Sequence, residues 1–165
     1  LMQQSSMSIK DQLVLVTGGA RGLGEHITRA FLSQGAKVVI NYNNSIQAAH
    51  SLVEEYPEHA LALQADVTDS VAVQILFVKA KAHFEQAITT VVNNALPSFS
   101  FNGDARQHAS EISWDSINFQ LEGMVKGALN TTQAALPGMR EAGFGRIINV
   151  GTNLFQNPVV PYHDY

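Results

Sequence analysis

Short apolar segments alternate along this chain with segments in which apolar residues recur at helical spacing. Each apolar segment has the length of one buried strand, and each intervening segment has the length of one helix. Regular alternation of this kind predicts a parallel sheet with helices on both faces and right-handed crossovers between strands. The predicted fold class is therefore α/β, a doubly wound parallel sheet in a single domain. The predicted strands are residues 13–17, 37–41, 60–65, 88–93 and 146–150.

Residues that begin or end helices lie where this alternation requires them. Gly35 follows the first helical segment, Pro57 ends the second, and Thr68 or Asp69 precedes the third. Glycine is common just after a helix, proline stops helices, and side-chain oxygens cap helix N-termini. The residues that predict the third helix by their helical spacing are Val71, Ile75, Val78 and Ala82.

A long fourth helix is predicted from about Ser113 to near Pro137. Its apolar residues lie on more than one side, and such helices are often buried on more than one side. The additional apolar side is explained equally well by a broad contact with the core or by a contact with a partner subunit. The second explanation predicts a homodimer or homotetramer formed through residues 113–137.

The composition excludes several kinds of site and partner. The net charge is −4 and the chain has no block of Lys or Arg, which argues against binding to nucleic acid. Because cysteine is absent, thiolate metal sites are excluded, and the six histidines show no metal-binding spacing. No membrane-length apolar run or signal peptide is visible, so a cytoplasmic protein is predicted. Residues 1–9 are expected to be disordered or of cloning origin, and the domain to span residues 10–165.

Glycines are concentrated between the first predicted strand and the first helix, in the stretch LVTGGARGLGEHI (residues 15–27). Ligands bind at the carboxyl ends of strands in such sheets, and a helix N-terminus offers unpaired N–H groups to a phosphate. The spacing Gly18-x3-Gly22-x-Gly24 differs from the G-x-G-x-x-G fingerprint and from the P-loop, which requires a lysine. A pyrophosphate cradle is the functional interpretation, and a tight turn with close helix–strand packing is the structural alternative.

Several ordered motifs resemble those of the short-chain dehydrogenase/reductase family. TGGARGLG (residues 17–24) is similar to the family's T-G-x3-G-x-G nucleotide-binding motif, and DVTD (66–69) follows the third strand as it does in the family. NNAL (93–96) resembles the N-N-A-G motif, and GRIINVGT (145–152) resembles the fifth strand and the start of the catalytic loop. The resemblance covers almost the whole chain from Lys10 onward. It implies a Rossmann fold, a nicotinamide cofactor, and hydride transfer between that cofactor and a carbonyl or alcohol carbon.

The resemblance also implies which residues form the site. Tyr165, 13 positions after Thr152, corresponds to the catalytic tyrosine that donates a proton to the carbonyl oxygen, and Thr152 to the residue that hydrogen-bonds that oxygen. Gln120 takes the place of an asparagine that supports a proton relay in the family. The residues expected to bind the cofactor are Gly18, Arg21, Gly22, Leu23, Gly24, Asn41, Asp66, Val67, Asn93 and Ala95.

The residues that follow the second strand indicate which nicotinamide cofactor is used. NAD-preferring sites place Asp or Glu there to bind the ribose 2′-hydroxyl. This chain has NYNNS (residues 41–45), which contains no acid. Arg21 in the glycine loop is available to pair with a 2′-phosphate, because a guanidinium suits phosphate geometry. We therefore expect NADP(H) to be favoured over NAD(H).

The sequence departs from the family pattern at four points. Thr152 replaces the usual serine, Gln120 the usual asparagine, and Leu96 the glycine of N-N-A-G. The family motif is Y-x3-K and the sequence ends at Tyr165, so the sheet is expected to be truncated after the fifth strand. The parent protein is expected to be an oxidoreductase similar to 3-oxoacyl-acyl-carrier-protein reductases. The alternative is a cofactor-binding sensor or scaffold protein that does not catalyse.

Overall fold

A computed structural model describes residues 6–154, 156, 162 and 163 of the chain. Five strands form one parallel sheet in the order β3-β2-β1-β4-β5. All five predicted strands are confirmed, and no strand end differs from its prediction by more than two residues. The strands are β1 (Leu13–Val16), β2 (Lys37–Tyr42), β3 (Ala60–Gln64), β4 (Thr90–Asn93) and β5 (Arg146–Asn149).

Three helices connect the first four strands, namely α1 (Gly22–Ser33), α2 (Ile46–Glu55) and α3 (Ser70–Phe84). Their predicted ends are confirmed. Gly35, just after α1, has a φ of +82°, and α2 ends two residues before Pro57. Asp69 caps α3, since its Oδ1 accepts the N–H groups of Val71 and Ala72. A capping carboxylate fixes the entry into a helix by pairing N–H groups that lack partners inside it.

The long helix that precedes β5 consists of α4 (Trp114–Leu121), a π-helical turn (Glu122–Lys126) and α5 (Gly127–Ala142). Its predicted end near Pro137 is wrong, because the helix continues to Ala142 and ends at Gly143, whose φ is +65°. A proline inside a helix removes its own N–H and crowds the carbonyl four residues earlier. Pro137 and Gln133, the residue whose carbonyl loses that partner, are both exposed, so water can hydrate the carbonyl.

The sheet has an apolar core on each face, because successive residues of a strand point to opposite sides. In β1, Val14 and Val16 pack in the cluster that also contains Leu32 of α1 and Leu52 of α2. The other two residues of the strand pack in the opposite cluster, with Leu76 of α3. All four residues of β1 are fully buried, so the carboxyl end of this strand is anchored on both sides.

The helix α3 is confirmed, but the residues whose spacing predicts it are not the ones that its packing buries. Val71, Ile75 and Val78 are 65%, 49% and 68% exposed, and Ala82 is also exposed. This helix is apolar around most of its circumference, so the spacing of one stripe does not determine which face is buried. The residues of α3 that are buried are Val73, Leu76, Ala80 and Phe84.

A 3-10 helix (Ile9–Asp11) leads into β1. Within the stretch assigned to the N-terminal tail, the carbonyl of Met7 accepts a hydrogen bond from Gln12 Nε2 at 3.0 Å. Gln12 is buried, and its Oε1 accepts the hydroxyl of Thr90 at 2.6 Å. This pair joins β1 to β4 at the end of the sheet opposite the candidate site. No helix among the described residues is long and apolar enough to cross a membrane.

Candidate functional site

A large cavity among the described residues lies where the order of the strands reverses. β1 lies between β2 and β4, so the connections leaving β1 and β4 run to opposite faces of the sheet and leave a crevice between them. The cavity has a volume of about 630 Å³ and is lined by residues that follow the carboxyl ends of β1, β2, β3 and β4. Its size and position are those of a site for an extended ligand.

The glycine loop after β1 forms one wall of this cavity. Gly18 and Gly22 have φ values of +61° and +53°, which favour glycine. A Cβ on Gly24 would overlap the carbonyl oxygen of Gly18 and lie 2.7 Å from Asn94 Nδ2, whereas a Cβ on Gly22 would meet no atom within 4 Å. Gly24 therefore permits close packing of α1, and Gly22 leaves open space at the start of the helix. The arrangement fits a diphosphate that approaches the unpaired N–H groups of α1.

Two asparagines hold the glycine loop from opposite sides. Asn41 of β2 is buried, its Oδ1 accepts the N–H of Gly18 at 3.4 Å, and its Nδ2 donates to the carbonyl of Ala65 at 3.0 Å. Asn94 follows β4, and its Nδ2 donates to the carbonyls of Thr17 at 3.1 Å and Gly18 at 3.3 Å. The amide of Asn41 thus supports the loop from within the protein. Its direct contact with a cofactor stays a prediction.

Thr17, the last residue before the glycines, connects the loop to β4. Its Oγ1 accepts the N–H groups of Asn94 and Ala95, both at 2.9 Å, and donates to the carbonyl of Val92 at 3.3 Å. Thr17 is only 2% exposed. One buried hydroxyl therefore determines where the chain after β4 lies relative to the glycine loop.

Asn93 and Ala95, both expected to bind the cofactor, border a second cavity of about 390 Å³ next to the first. The side chain of Asn93 is occupied by protein contacts, since its Nδ2 donates to Asn149 Oδ1 at 2.9 Å and its Oδ1 accepts the hydroxyl of Thr131 at 2.6 Å. Asn93 thereby joins β4, β5 and α5. Asn94, which the sequence analysis did not single out, is the asparagine that reaches the glycine loop.

The charged residues around the first cavity are Arg21, Asp66 and Glu122. Arg21 is exposed and forms no ion pair with another described residue. Asp66 Oδ1 accepts the N–H and the hydroxyl of Thr68, at 2.9 and 2.8 Å. The polar residues Asn43, Asn44 and Ser45 also line this cavity, as do the predicted contacts Leu23 and Val67. The wall after β2 therefore carries no carboxylate, as the sequence indicates.

Of the three predicted catalytic residues the structure describes Gln120 and Thr152, and none of the three cavities is lined by both. Gln120 is buried and borders a third cavity of about 470 Å³, beside the first. Thr152 Oγ1 accepts the N–H of Leu154 at 3.2 Å, and Thr152 lines none of the three cavities. Tyr165 lies outside the described residues. Leu96, which replaces the motif glycine, lines both the first and the second cavity.

The π-helical turn of the long helix begins two residues after Gln120. π-Helical turns are rare in proteins, and those that occur are often found at functional sites. Gly123 lies within it, and a Cβ there would be 2.6 Å from Cδ of Pro97 in the chain after β4. Gly123 and Pro97 both line the first cavity. The turn therefore brings the long helix against the loop that bounds the site.

The sequence profile of the family described as "short chain dehydrogenase" matches residues 12–165. The chain belongs to the short-chain dehydrogenase family. Versicolorin reductase stcU of Emericella nidulans is 33% identical over 155 residues, which are 92% of this chain and 55% of the relative. The NADP-dependent 3-hydroxy acid dehydrogenase YdfG of Shigella flexneri is 32% identical over 140 residues, which are 85% of this chain and 54% of the relative.

A solved structure from Bacillus thuringiensis, assigned as a 3-oxoacyl-reductase, is similar to this short-chain dehydrogenase domain with a TM-score of 0.75 and 30% identity. The match covers 85% of this chain and 57% of that one. The chain thus spans a little more than half the length of the relatives it matches. Both the family and the Rossmann-type doubly wound sheet predicted from the sequence are confirmed.

Proposed function

We propose that the full-length protein is an NADP(H)-dependent oxidoreductase that transfers a hydride between nicotinamide and a carbonyl or alcohol carbon. The observation that carries the proposal is the glycine loop, which packs tightly at Gly24 and leaves open space at Gly22 beside the N-terminus of α1. That geometry suits a diphosphate, since the helix N-terminus favours an anion and the bare backbone lets a phosphate approach closely. Membership of the short-chain dehydrogenase family supports the same reaction class.

Different residues of the chain have different roles in the proposed site. The N–H groups at the start of α1 would hold the diphosphate, Asp66 and Val67 would border the adenine, and Ala95 would lie toward the nicotinamide. The cofactor supplies the hydride. Tyr165 would hold and transfer the proton at the substrate oxygen, a task for which its phenol must be made more acidic than a free phenol, whose pKa is about 10.

Two further residues complete the proposed catalytic set. Thr152 would donate a hydrogen bond to the substrate oxygen, and its hydroxyl preserves the role of the usual serine. Gln120 would support proton relay through its amide. The burial of Gln120 and the π-helical turn that follows it support a specialised role for this part of the helix.

The preference for NADP(H) rests on the charges around the first cavity. Among the described residues no carboxylate lies within ion-pair distance of Arg21, and the wall formed by Asn43, Asn44 and Ser45 carries no acid that would repel a 2′-phosphate. Arg21→Ala should weaken NADPH binding by roughly ten- to a hundredfold, the value of a charge-assisted hydrogen bond, and leave NADH affinity unchanged. Fluorescence titration with both cofactors measures this.

Lys79→Ala is the matched control for that experiment, because it removes one exposed positive charge from α3, outside the residues that line the cavity. It should leave both affinities unchanged. Equal losses of NADPH affinity in the two variants would show a general charge effect and refute a specific contact between Arg21 and the 2′-phosphate. Wild-type protein that binds NADH as tightly as NADPH would defeat the proposed cofactor preference.

For the substrate we propose a 3-oxoacyl thioester or a related 3-oxo compound. The relatives supporting this class are YdfG, named as a 3-hydroxy acid dehydrogenase, and the Bacillus thuringiensis structure, assigned as a 3-oxoacyl-reductase. The test follows NADPH oxidation by the full-length protein against a panel of ketones and 3-oxoacyl thioesters. Turnover of 3-oxoacyl thioesters above simple ketones supports the class, and the reverse order refutes it.

A second candidate function is a cofactor-binding sensor or scaffold. It is favoured by Thr152, which lines none of the three cavities, and by Leu96, which occupies space that the family motif leaves to glycine. Tight NADPH binding without turnover of any carbonyl in the panel would support this function. A lysine four positions after Tyr165 in the full-length protein supports the enzyme.

We also propose that the long helix forms the contact of a homodimer or homotetramer. Several of its large apolar residues are exposed in the single chain. Light scattering of the full-length protein tests the assembly, and a monomer would refute it. A cytoplasmic location and a domain that begins at Lys10 stay predictions of the sequence. The exposed residues are Trp114, Phe119, Leu121, Val125, Leu129 and Leu136.

A further inference from the structure

Three aromatic rings form a cluster at the edge of the third cavity. Phe99 and Phe101 lie in the chain after β4, and Tyr162 lies three residues before Tyr165. The ring centroid of Tyr162 lies 5.6 Å from that of Phe99 and 5.2 Å from that of Phe101, and the centroids of the two phenylalanines are 4.9 Å apart. The interplanar angles of 67–81° make every pair edge-to-face, the favoured arrangement of aromatic rings.

The hydroxyl of Tyr162 adds a directional contact to this cluster. The N–H of Gly103 donates to Tyr162 Oη at 2.7 Å, across 59 positions of the sequence. Gly103 begins a 3-10 helix (Gly103–Ala105) and has a φ of +58°. The carbonyl of Gly103 accepts Arg106 Nη1 at 3.0 Å, so the tip of the loop is fixed on both sides of this residue. Tyr162 is therefore joined to a loop that is itself internally braced.

Tyr162 and Gln120 line the same cavity, and Phe119 lines both this cavity and the larger one beside it. The cluster is thus continuous with the proposed site. Three residues of chain can span at most about 11 Å, so fixing Tyr162 restricts where a side chain three positions later can act. Precise placement of a reacting group matters, because a misplacement of about 1 Å can cost 10²-fold in rate.

We propose that Tyr162 is a positioning residue, which ties the segment carrying Tyr165 to the loop after β4 through the phenylalanines and Gly103. The proposal rests on the proposed function, because it assigns the proton transfer to Tyr165. Tyr162 itself acts through the chain and transfers no proton. The loop after β4 thereby becomes part of the machinery that places the catalytic tyrosine.

The test uses the full-length protein with Tyr162→Phe and Tyr162→Leu. The first variant keeps the ring and loses the hydrogen bond, so kcat should fall by about two- to tenfold. The second loses both contacts, and kcat should fall on the order of 10²-fold. The dissociation constant for NADPH should stay within about twofold of wild type in both, since Tyr162 contacts Phe99, Phe101 and Gly103, which lie outside the glycine loop.

Tyr56→Phe is the matched control, because Tyr56 follows α2, packs against the core and lines none of the three cavities. It removes one phenolic hydroxyl and should leave kcat unchanged. Wild-type kcat in Tyr162→Leu, or a loss of NADPH affinity equal to the loss of kcat, would overturn the positioning role. We expect the kcat of Tyr162→Phe to lie between that of wild type and that of Tyr162→Leu.

Hydrogen exchange of the Gly103 amide separates this inference from the proposed function. Exchange should accelerate in both Tyr162 variants and stay unchanged in Tyr56→Phe, whether or not the protein reduces any carbonyl. Unchanged exchange in the Tyr162 variants would show that the contact does not hold the loop and would overturn the inference. Wild-type protein without turnover refutes the proposed function, and the positioning role falls with it even where the exchange result confirms the contact.

Discussion

Thr17 offers the sharpest test of how the site is built, because one hydroxyl serves three backbone groups. Its Oγ1 accepts the N–H groups of Asn94 and Ala95 and donates to the carbonyl of Val92. Valine has nearly the same shape as threonine and lacks the hydroxyl. Thr17→Val therefore removes the hydrogen bonds at a buried position and keeps the volume. Thr17→Ser is the matched control, since it keeps the hydroxyl and loses one methyl group.

The expected cost follows from what each backbone group loses. The carbonyl of Val92 still accepts the N–H of Thr17 at 3.0 Å, so it contributes little. The two N–H groups lose their acceptor, and a buried unsatisfied donor costs about 1–3 kcal/mol. Asn94 and Ala95 border cavities that admit water, which places the total at about 2–4 kcal/mol. Loss of one buried methyl in the serine variant costs about 1 kcal/mol.

Urea unfolding measures both variants. With a slope near 2 kcal/mol/M, the midpoint for Thr17→Val should fall by about 1–2 M at an unchanged slope. The predicted order of stability is threonine, then serine, then valine. Hydrophobic burial alone predicts the opposite order for the two variants, because valine buries more apolar surface than serine. A valine variant at least as stable as the serine variant would refute the role of the hydroxyl.

Two further predictions concern the glycine loop and the surface. Gly24→Ala should weaken NADPH binding more than tenfold, because the new Cβ displaces the carbonyl of Gly18. Gly35→Ala is the control: it is strained at its positive φ but lies outside the cavity lining, so it should lower stability and leave the NADPH affinity unchanged. Arg29 binds both carboxylate oxygens of Glu55, at 2.6 and 2.8 Å, and thereby lowers the pKa of Glu55. The ion pair therefore stabilises the fold above the unfolded pKa of about 4.3, and the advantage of wild type over Glu55→Gln in urea unfolding should disappear as the pH falls below that value.

The elements of the fold were predictable because their signals are local. Buried strands, a capping Asp69 and the glycine after α1 each depend on a few neighbouring residues. The face of α3 was not predictable, since this helix carries apolar residues on both sides and its packing against the sheet and α5 selects one. The end of the long helix was missed because the exposed position of Pro137 tolerates a missing N–H.

The residues that build the site were predictable only in part. Motif spacing identified the three glycines of the loop, and two of them, Gly18 and Gly24, line the first cavity together with Arg21. Asn94 was missed because its partners, Thr17 and Gly18, are more than 70 positions away in the sequence. Its signal is its place in the N-N-A-G-like stretch, where two adjacent asparagines must point in different directions. The structure assigns Asn93 to β5 and α5, and Asn94 to the glycine loop.

The hydrogen bonds of Gly18 indicate which measurement can distinguish the two candidate functions, an oxidoreductase and a cofactor-binding sensor. Side chains from both neighbouring strands engage its N–H and its carbonyl, so the loop is already ordered before any ligand arrives. An ordered loop spares a ligand the cost of ordering it. Of the three substituted motif positions only Leu96 lines the same cavity. We therefore expect NADPH binding to be nearly independent of Thr152 and Gln120, so that an impaired catalytic set would leave it intact. It follows that turnover, and not NADPH affinity, distinguishes an oxidoreductase from a sensor in this chain.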